Sequence, residues 1–280
     1  MTEDDQTPRT GAAPTQSDAA RSGARALAIT IGVLGAGALA LSGVGVAFAA
    51  VGSSVASSLT GEATTSVGVA GATAVEADVA AGELRVEFGP VSEAVLEAED
   101  GRASWTLERD GDAIVVGSED RFGWPVTWGR GTSATLTLPA SLAGVDLDAE
   151  VDAGHLVAEG DFGDVTAAMS AGSTEIEGTA RSVDAEMSAG RGVLALADVG
   201  TADLEVTAGR LDAAFAGEAP GAVAVRATAG SVALTLPDVP YDVRTSRDAG
   251  EITSRVAHDP AAERTLDIAI TAGSVEVFAE

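Results

Sequence analysis

From residue 73 onward the chain alternates apolar and polar positions in short runs, each ending in the same two residues. Ala-Gly recurs in phase at Gly82, Gly154, Gly172, Gly190, Gly209, Gly230, Gly250 and Gly273. Between Gly154 and Gly273 the steps are 18, 18, 19, 21, 20 and 23 residues. Seven, five and three residues before each glycine the side chains are mostly apolar, as in Val165/Ala167/Met169, Val183/Ala185/Met187 and Leu266/Ile268/Ile270. Period two is the mark of a strand with one buried face. After the glycine the apolar positions fall two and four residues on, as in Leu156/Ala158 and Val275/Val277. Inward parity therefore slips by one residue at each Ala-Gly. A straight strand cannot absorb that slip, because it would send every later side chain to the opposite face. A corner can, since glycine tolerates positive φ and alanine fits inward where the chain bends. A second turn follows each post-corner strand, at "EGDFGD" (159–164), "EGTARS" (177–182) and "AGEAPG" (216–221).

Units of about twenty residues cannot bury an apolar face alone and stack on their neighbours. The spacing thus predicts an all-β fold: a single-stack β-solenoid of parallel, β-helix-like coils of about 18–23 residues over 74–280. The alternative, an immunoglobulin-like sandwich, calls for no fixed repeat. Residues 90–140 leave the period. "SWTLERDGDAIVV" (104–116) predicts a hairpin turned at Asp110-Gly111-Asp112, an antiparallel insertion or cap on the stack. The coil at Gly250 is irregular too, because Arg247 falls at an inward position.

The first quarter follows another pattern. Residues 1–25 are polar without periodicity and read as a disordered cytoplasmic tail. Residues 26–51 carry no charge, and as a helix they would be about 39 Å long against a hydrocarbon core of about 30 Å. They predict one transmembrane anchor helix. Arg21 and Arg25 precede it and no basic residue follows until Arg85, which places the N-terminus in the cytoplasm and the rest outside. A cleaved signal peptide ending near Ala47–Ala49 is the competing reading. Residues 52–73 have the composition of a flexible linker.

Composition removes much chemistry. The chain holds 43 acidic against 16 basic residues, a net charge of −27 that opposes binding to nucleic acid. Without cysteine or lysine there is no disulfide, thiolate nucleophile, Schiff base or phosphate-loop lysine. "GVLGAG" (32–37) matches a dinucleotide pattern but lies in the anchor, with no strand before it.

The phrases "TLTLPASLAGVDLDAEVDAGHLVAEG" (135–160), the reiterated "SAG" and "TAG", and "LTLPDVPYDVRTSRDAGEI" (234–252) resemble the DUF4097 family, bacterial envelope β-solenoids of adhesin type. That resemblance covers roughly residues 73–280. It implies a membrane-attached surface domain with adhesion or envelope-stress roles, and it supplies no catalytic residues.

Three constellations remain. In solenoid register, Asp184 and Glu186 fall beside Asp203 and Glu205, with Asp198 in the turn between, a set whose oxygens suit Ca²⁺. Arg191 and Arg210, just past the corners, are placed to draw off that charge, and a solvated acidic face is the competing reading. In "DLDAEVD" (146–152), Asp146, Asp148, Glu150 and Asp152 share one outward face, relieved by Thr166 and Ala168 on the next coil. "RFGWPVTWG" (121–129) gathers Phe122, Trp124 and Trp128 near Trp105, as an aromatic platform for a sugar or protein or as a cap on an open solenoid end. His155 and His258 have no nucleophile motif around them and read as surface histidines.

Taken together, the sequence predicts a non-enzymatic, single-pass surface protein that presents an acidic solenoid to an envelope protein or glycan, with no cofactor beyond Ca²⁺. The alternatives are an envelope-stress accessory acting through its cytoplasmic tail, and a polysaccharide-active solenoid centred on Asp203, Glu205 and Arg226.

Overall fold

A computed structural model describes residues 63–99, 105–118 and 132–280. The expected tail, anchor helix and Phe122–Trp128 loop lie outside these residues. Among the described residues no helix is long and apolar enough to cross a membrane.

Twenty strands account for nearly all of the rest: β1 (Ala63–Val67), β2 (Ala74–Val79), β3 (Glu83–Gly89), β4 (Ala94–Ala98), β5 (Trp105–Asp110), β6 (Ala113–Ser118), β7 (Ser133–Pro139), β8 (Val145–Val151), β9 (His155–Met169) and β10 (Ser173–Thr179) come first. They are followed by β11 (Ser182–Met187), β12 (Arg191–Ala197), β13 (Thr201–Val206), β14 (Arg210–Ala216), β15 (Ala222–Ala227), β16 (Ser231–Leu236), β17 (Asp242–Arg247), β18 (Glu251–Ser254), β19 (Thr265–Ile270) and β20 (Ser274–Ala279). One 3₁₀ turn, Ala140–Leu142, follows β7.

The strands form the expected solenoid. Those leading into the Ala-Gly corners stack in the order β6, β2, β8, the second half of β9, β11, β13, β15, β19, β17, all parallel. Those trailing out of the corners stack as β7, β3, the first half of β9, β10, β12, β14, β16, β20, β18. The inward columns of the two faces close on one aliphatic core, in which Leu84, Leu156, Ile176, Leu204 and Leu234 are fully buried. Parity slips at the corner as the pattern predicts: Val183, Ala185 and Met187 point in before Gly190, and Gly192, Leu194 and Leu196 after it.

The corner glycines are constrained twice. Gly190 has φ 105°, and a Cβ there would fall on the carbonyl oxygen of Gly172 in the coil beneath. That oxygen accepts the N–H of Arg191 at 3.0 Å, so the parallel ladder runs unbroken around the bend. Gly154 and Gly230 do not have positive φ, which shows that space as well as dihedral freedom fixes this column.

The coils do not stack in strict chain order. β2–β3 lies between β6–β7 and β8–β9. At the other end β19–β20 lies between β15–β16 and β17–β18. Among the described residues the coil at Gly250 is therefore the outermost one at this end, and its inward Thr245 and Arg247 are exposed. That resolves the irregularity at Arg247: an inward position in the end coil still meets water. At the opposite end β5 pairs antiparallel with β6, turning at Gly111–Asp112, and β4 pairs antiparallel with β7. The hairpin thus caps the stack. β1, inside the stretch expected to be linker, pairs antiparallel with β4 over Ala63–Val67. The polar, small-residue composition of 52–73 misled there, because an edge strand needs backbone partners more than an apolar face.

Candidate functional site

Outward positions of the leading face fall into two columns, and register decides which charges meet. Asp184 stands opposite Asp203 and Glu186 opposite Glu205, as the repeat predicts. Neighbouring strands are about 4.8 Å apart, but successive outward residues along one strand are about 7 Å apart. The four carboxylates therefore form two pairs. Among the described residues no group of three or more acidic or histidine side chains is placed to hold a metal ion. One of the four is also taken: Arg226 Nη1 donates to Asp203 Oδ1 at 2.6 Å, while Arg226 itself stands opposite Glu205. Partial burial, with Asp203 and Glu205 nearby, raises the pKa of Asp184, and Arg226 opposes the shift.

Three expected neighbours of this set act elsewhere. Asp198 lies in its turn at φ 59°, and its Oδ1 accepts the N–H of Glu218 at 3.0 Å. Arg191 and Arg210 stack as expected but on the trailing face, where both turn to Asp212: Arg210 Nη2 lies 2.7 Å and Arg191 Nη2 3.4 Å from it. Those guanidiniums hold the Asp212 carboxyl below its usual range. The arginine that reaches the acidic columns is Arg226.

The acidic face expected on β8 is wider than the sequence suggests, because β2 extends it. β8 has Thr166 and Ala168 beside Asp148 and Glu150 on one side, as expected. On its other side β2 sets Glu76 against Asp148 and Asp78 against Glu150. Repulsion is relieved on one edge and renewed on the other. Burial, with Asp152 nearby, raises the Asp78 pKa, and burial raises that of Asp148. Glu150 is raised by burial and by Asp78, Asp152 and Asp148. The sequence signal existed, since Glu76 and Asp78 sit six and four residues before Gly82. What hid it was the excursion of residues 90–140 between the two strands. Nine carboxylates, Glu76, Asp78, Asp148, Glu150, Asp184, Glu186, Asp203, Glu205 and Asp267, thus occupy the two outward columns of the leading face, against Arg226 and Arg244 alone.

The histidines divide. His258 is exposed, and its Nδ1 accepts the N–H of Val243 at 3.1 Å. His155 is half-buried and its Nδ1 hydrogen-bonds the Ser173 hydroxyl one coil away. Glu83 stands on the other side of His155 in the same column. The 18-residue step from His155 to Ser173 was the available signal for that pairing. Trp105, at the start of β5, is half-buried and packs on the core, so this tryptophan belongs to the cap.

No family model matches the chain, and no curated protein does. The resemblance to the DUF4097 family therefore rests on the quoted phrases. Solved structures similar to this chain include a "putative adhesin" of Bacteroides fragilis, 12% identical, covering 77% of this chain and 96% of that one at a TM-score of 0.47. A "putative adhesin" of Parabacteroides distasonis is 10% identical, covering 78% and 97% at a TM-score of 0.44. A "putative cell adhesion protein" of Clostridium sporogenes is 8% identical, covering 78% and 99% at a TM-score of 0.34. The solenoid assignment itself stands on strand register.

Proposed function

We propose that this chain is a non-enzymatic surface protein of adhesin-like type, anchored by a single helix over 26–51 with its N-terminus in the cytoplasm. Its solenoid presents the acidic leading face to a partner outside the membrane. The carrying observation is the alignment of Glu76, Asp78, Asp148, Glu150, Asp184, Glu186, Asp203 and Glu205 in two outward columns on a rigid stack. Charges set in rows by backbone register present one sign of potential to a basic surface and steer its approach. The 26-residue charge-free stretch after Arg21 and Arg25 supports the anchor and its direction.

The test uses full-length protein in detergent, immobilised and exposed to cell-envelope fractions at low and high salt. A variant carrying Asp148→Asn, Glu150→Gln, Asp184→Asn and Glu186→Gln should lose the captured partner while melting no lower than wild type. Capture should also fall with salt, as screening requires. Equal capture by the variant, or none by the wild type, refutes the reading.

A further inference from the structure

We propose that a groove at the C-terminal end of the leading face is a binding site for a neutral pyranose ring. The groove is an open one of about 300 Å³ and lies over β15, β19 and β17, between Arg226 and Arg244. That size is at the lower end for small-ligand sites, suited to a single ring. Its floor has a specific origin. Both outward columns carry charge through β11 and β13, and then Ala224 interrupts one and Ala269 the other on adjacent coils. Ala224 stands opposite Asp267 and Ala269 opposite Arg226, so the two alanines lie on a diagonal and their short side chains open a shallow groove between the longer ones.

Around that floor donors and acceptors alternate. Arg226 is held by Asp203, and Arg244 Nη2 donates to Asp242 at 2.6 Å, so both guanidiniums are oriented while keeping free N–H groups. Arg244 Nη1 and Asp267 Oδ1 stand 4.0 Å apart, too far for a direct hydrogen bond and the right gap for a hydroxyl that accepts from one and donates to the other. Ser246 lines the same groove and offers a further hydroxyl. The arginines are balanced by Asp203, Asp242 and Asp267, so the rim has no excess positive charge to select an anion. A ring with vicinal hydroxyls on its edge and C–H groups on its face satisfies both rim and floor. The site is the C-terminal end of the same two columns, on coils that the acidic-face variant does not alter.

Saturation-transfer NMR on the full-length protein in detergent tests this, with methyl α-mannopyranoside and methyl β-galactopyranoside as neutral probes and glucuronate as the anionic control. One or both neutral pyranosides should show transfer, and glucuronate should be weaker. Ala269→Glu, which continues the charged column across the floor, and Asp267→Asn, which replaces a carboxylate acceptor, should each weaken binding at least tenfold with melting unchanged. The acidic-face variant above should bind the pyranosides like wild type, so that failure of either proposal is distinguishable from failure of the other. No transfer to either neutral probe, preference for glucuronate, or binding unaffected by both groove substitutions overturns the site.

Discussion

Gly190→Ala probes the corner column most directly. At φ 105° an alanine incurs the left-handed penalty, about 1–2 kcal/mol. Its Cβ would also land on the Gly172 oxygen, which must retreat and stretch the 3.0 Å bond from Arg191. Weakening that bond, and the equivalent bond from Arg210 to the Gly190 oxygen, adds about 0.5–1.5 kcal/mol each. The sum is about 2–5 kcal/mol, or roughly 4–20 °C in melting temperature for a domain of this size. Gly221→Ala is the control. Its φ is not positive and the nearest atom to its Cβ is the Gly200 oxygen at 3.6 Å, an ordinary contact, so it should melt within about 2 °C of wild type. Circular dichroism on heating measures both. Because coils interact only with neighbours, hydrogen exchange should also place the loosening in β10, β12 and β14. A Gly190→Ala protein that melts with wild type, or a Gly221→Ala protein damaged as badly, refutes the argument that the stacked Cβ position controls the corner.

The raised carboxyls predict the response to pH. Asp78, Asp148, Glu150 and Asp184 favour the protonated form in the fold, so their contribution is present below their ordinary values near 4 and is lost as pH rises through the raised ones. Asp164 and Asp212, lowered by Arg181 and Arg210, contribute above their ordinary values and lose stability only in stronger acid. Melting temperature should rise as pH falls from 7 toward the ordinary carboxyl values near 4, and Asp148→Asn with Glu150→Gln should raise it at pH 7 and flatten the slope; a steady fall over that range contradicts the assignment. At Asp198, alanine removes the acceptor of the Glu218 N–H yet keeps the left-handed backbone, and should cost about 1–2 kcal/mol. Glycine relieves the backbone and should stay within about 1 kcal/mol of wild type by urea unfolding; equal losses would show that φ 59° carries no strain.

Corners, faces and the Asp184/Asp203 and Glu186/Glu205 pairs were legible because they depend on a local period that reports its own register. Coil order was not, since β15 and β17 both present strand patterns of the right parity and nothing local says that β19 separates them. The exposed Arg247 was the one visible trace. Pairing of β2 with β8 was hidden for the same reason: Val79 and Val145 are far apart in sequence, and periodicity carries no information across the interruption. The His155–Ser173 bond could be found only by asking what sits one coil away.

The interleaving of β19–β20 also bears on how the chain finds its form. Residues 242–254 leave the ribosome before residues 265–279, and for that interval β17 and β18 can lie on β15 and β16 in the slot that the later coil must occupy. In that premature arrangement, arrival of the last coil on top would seal Arg247 beneath it, a charge removed from water without a partner. Threonine and arginine at those inward positions therefore disfavour any stack in which β17 and β18 are covered, and so hold that coil at the end.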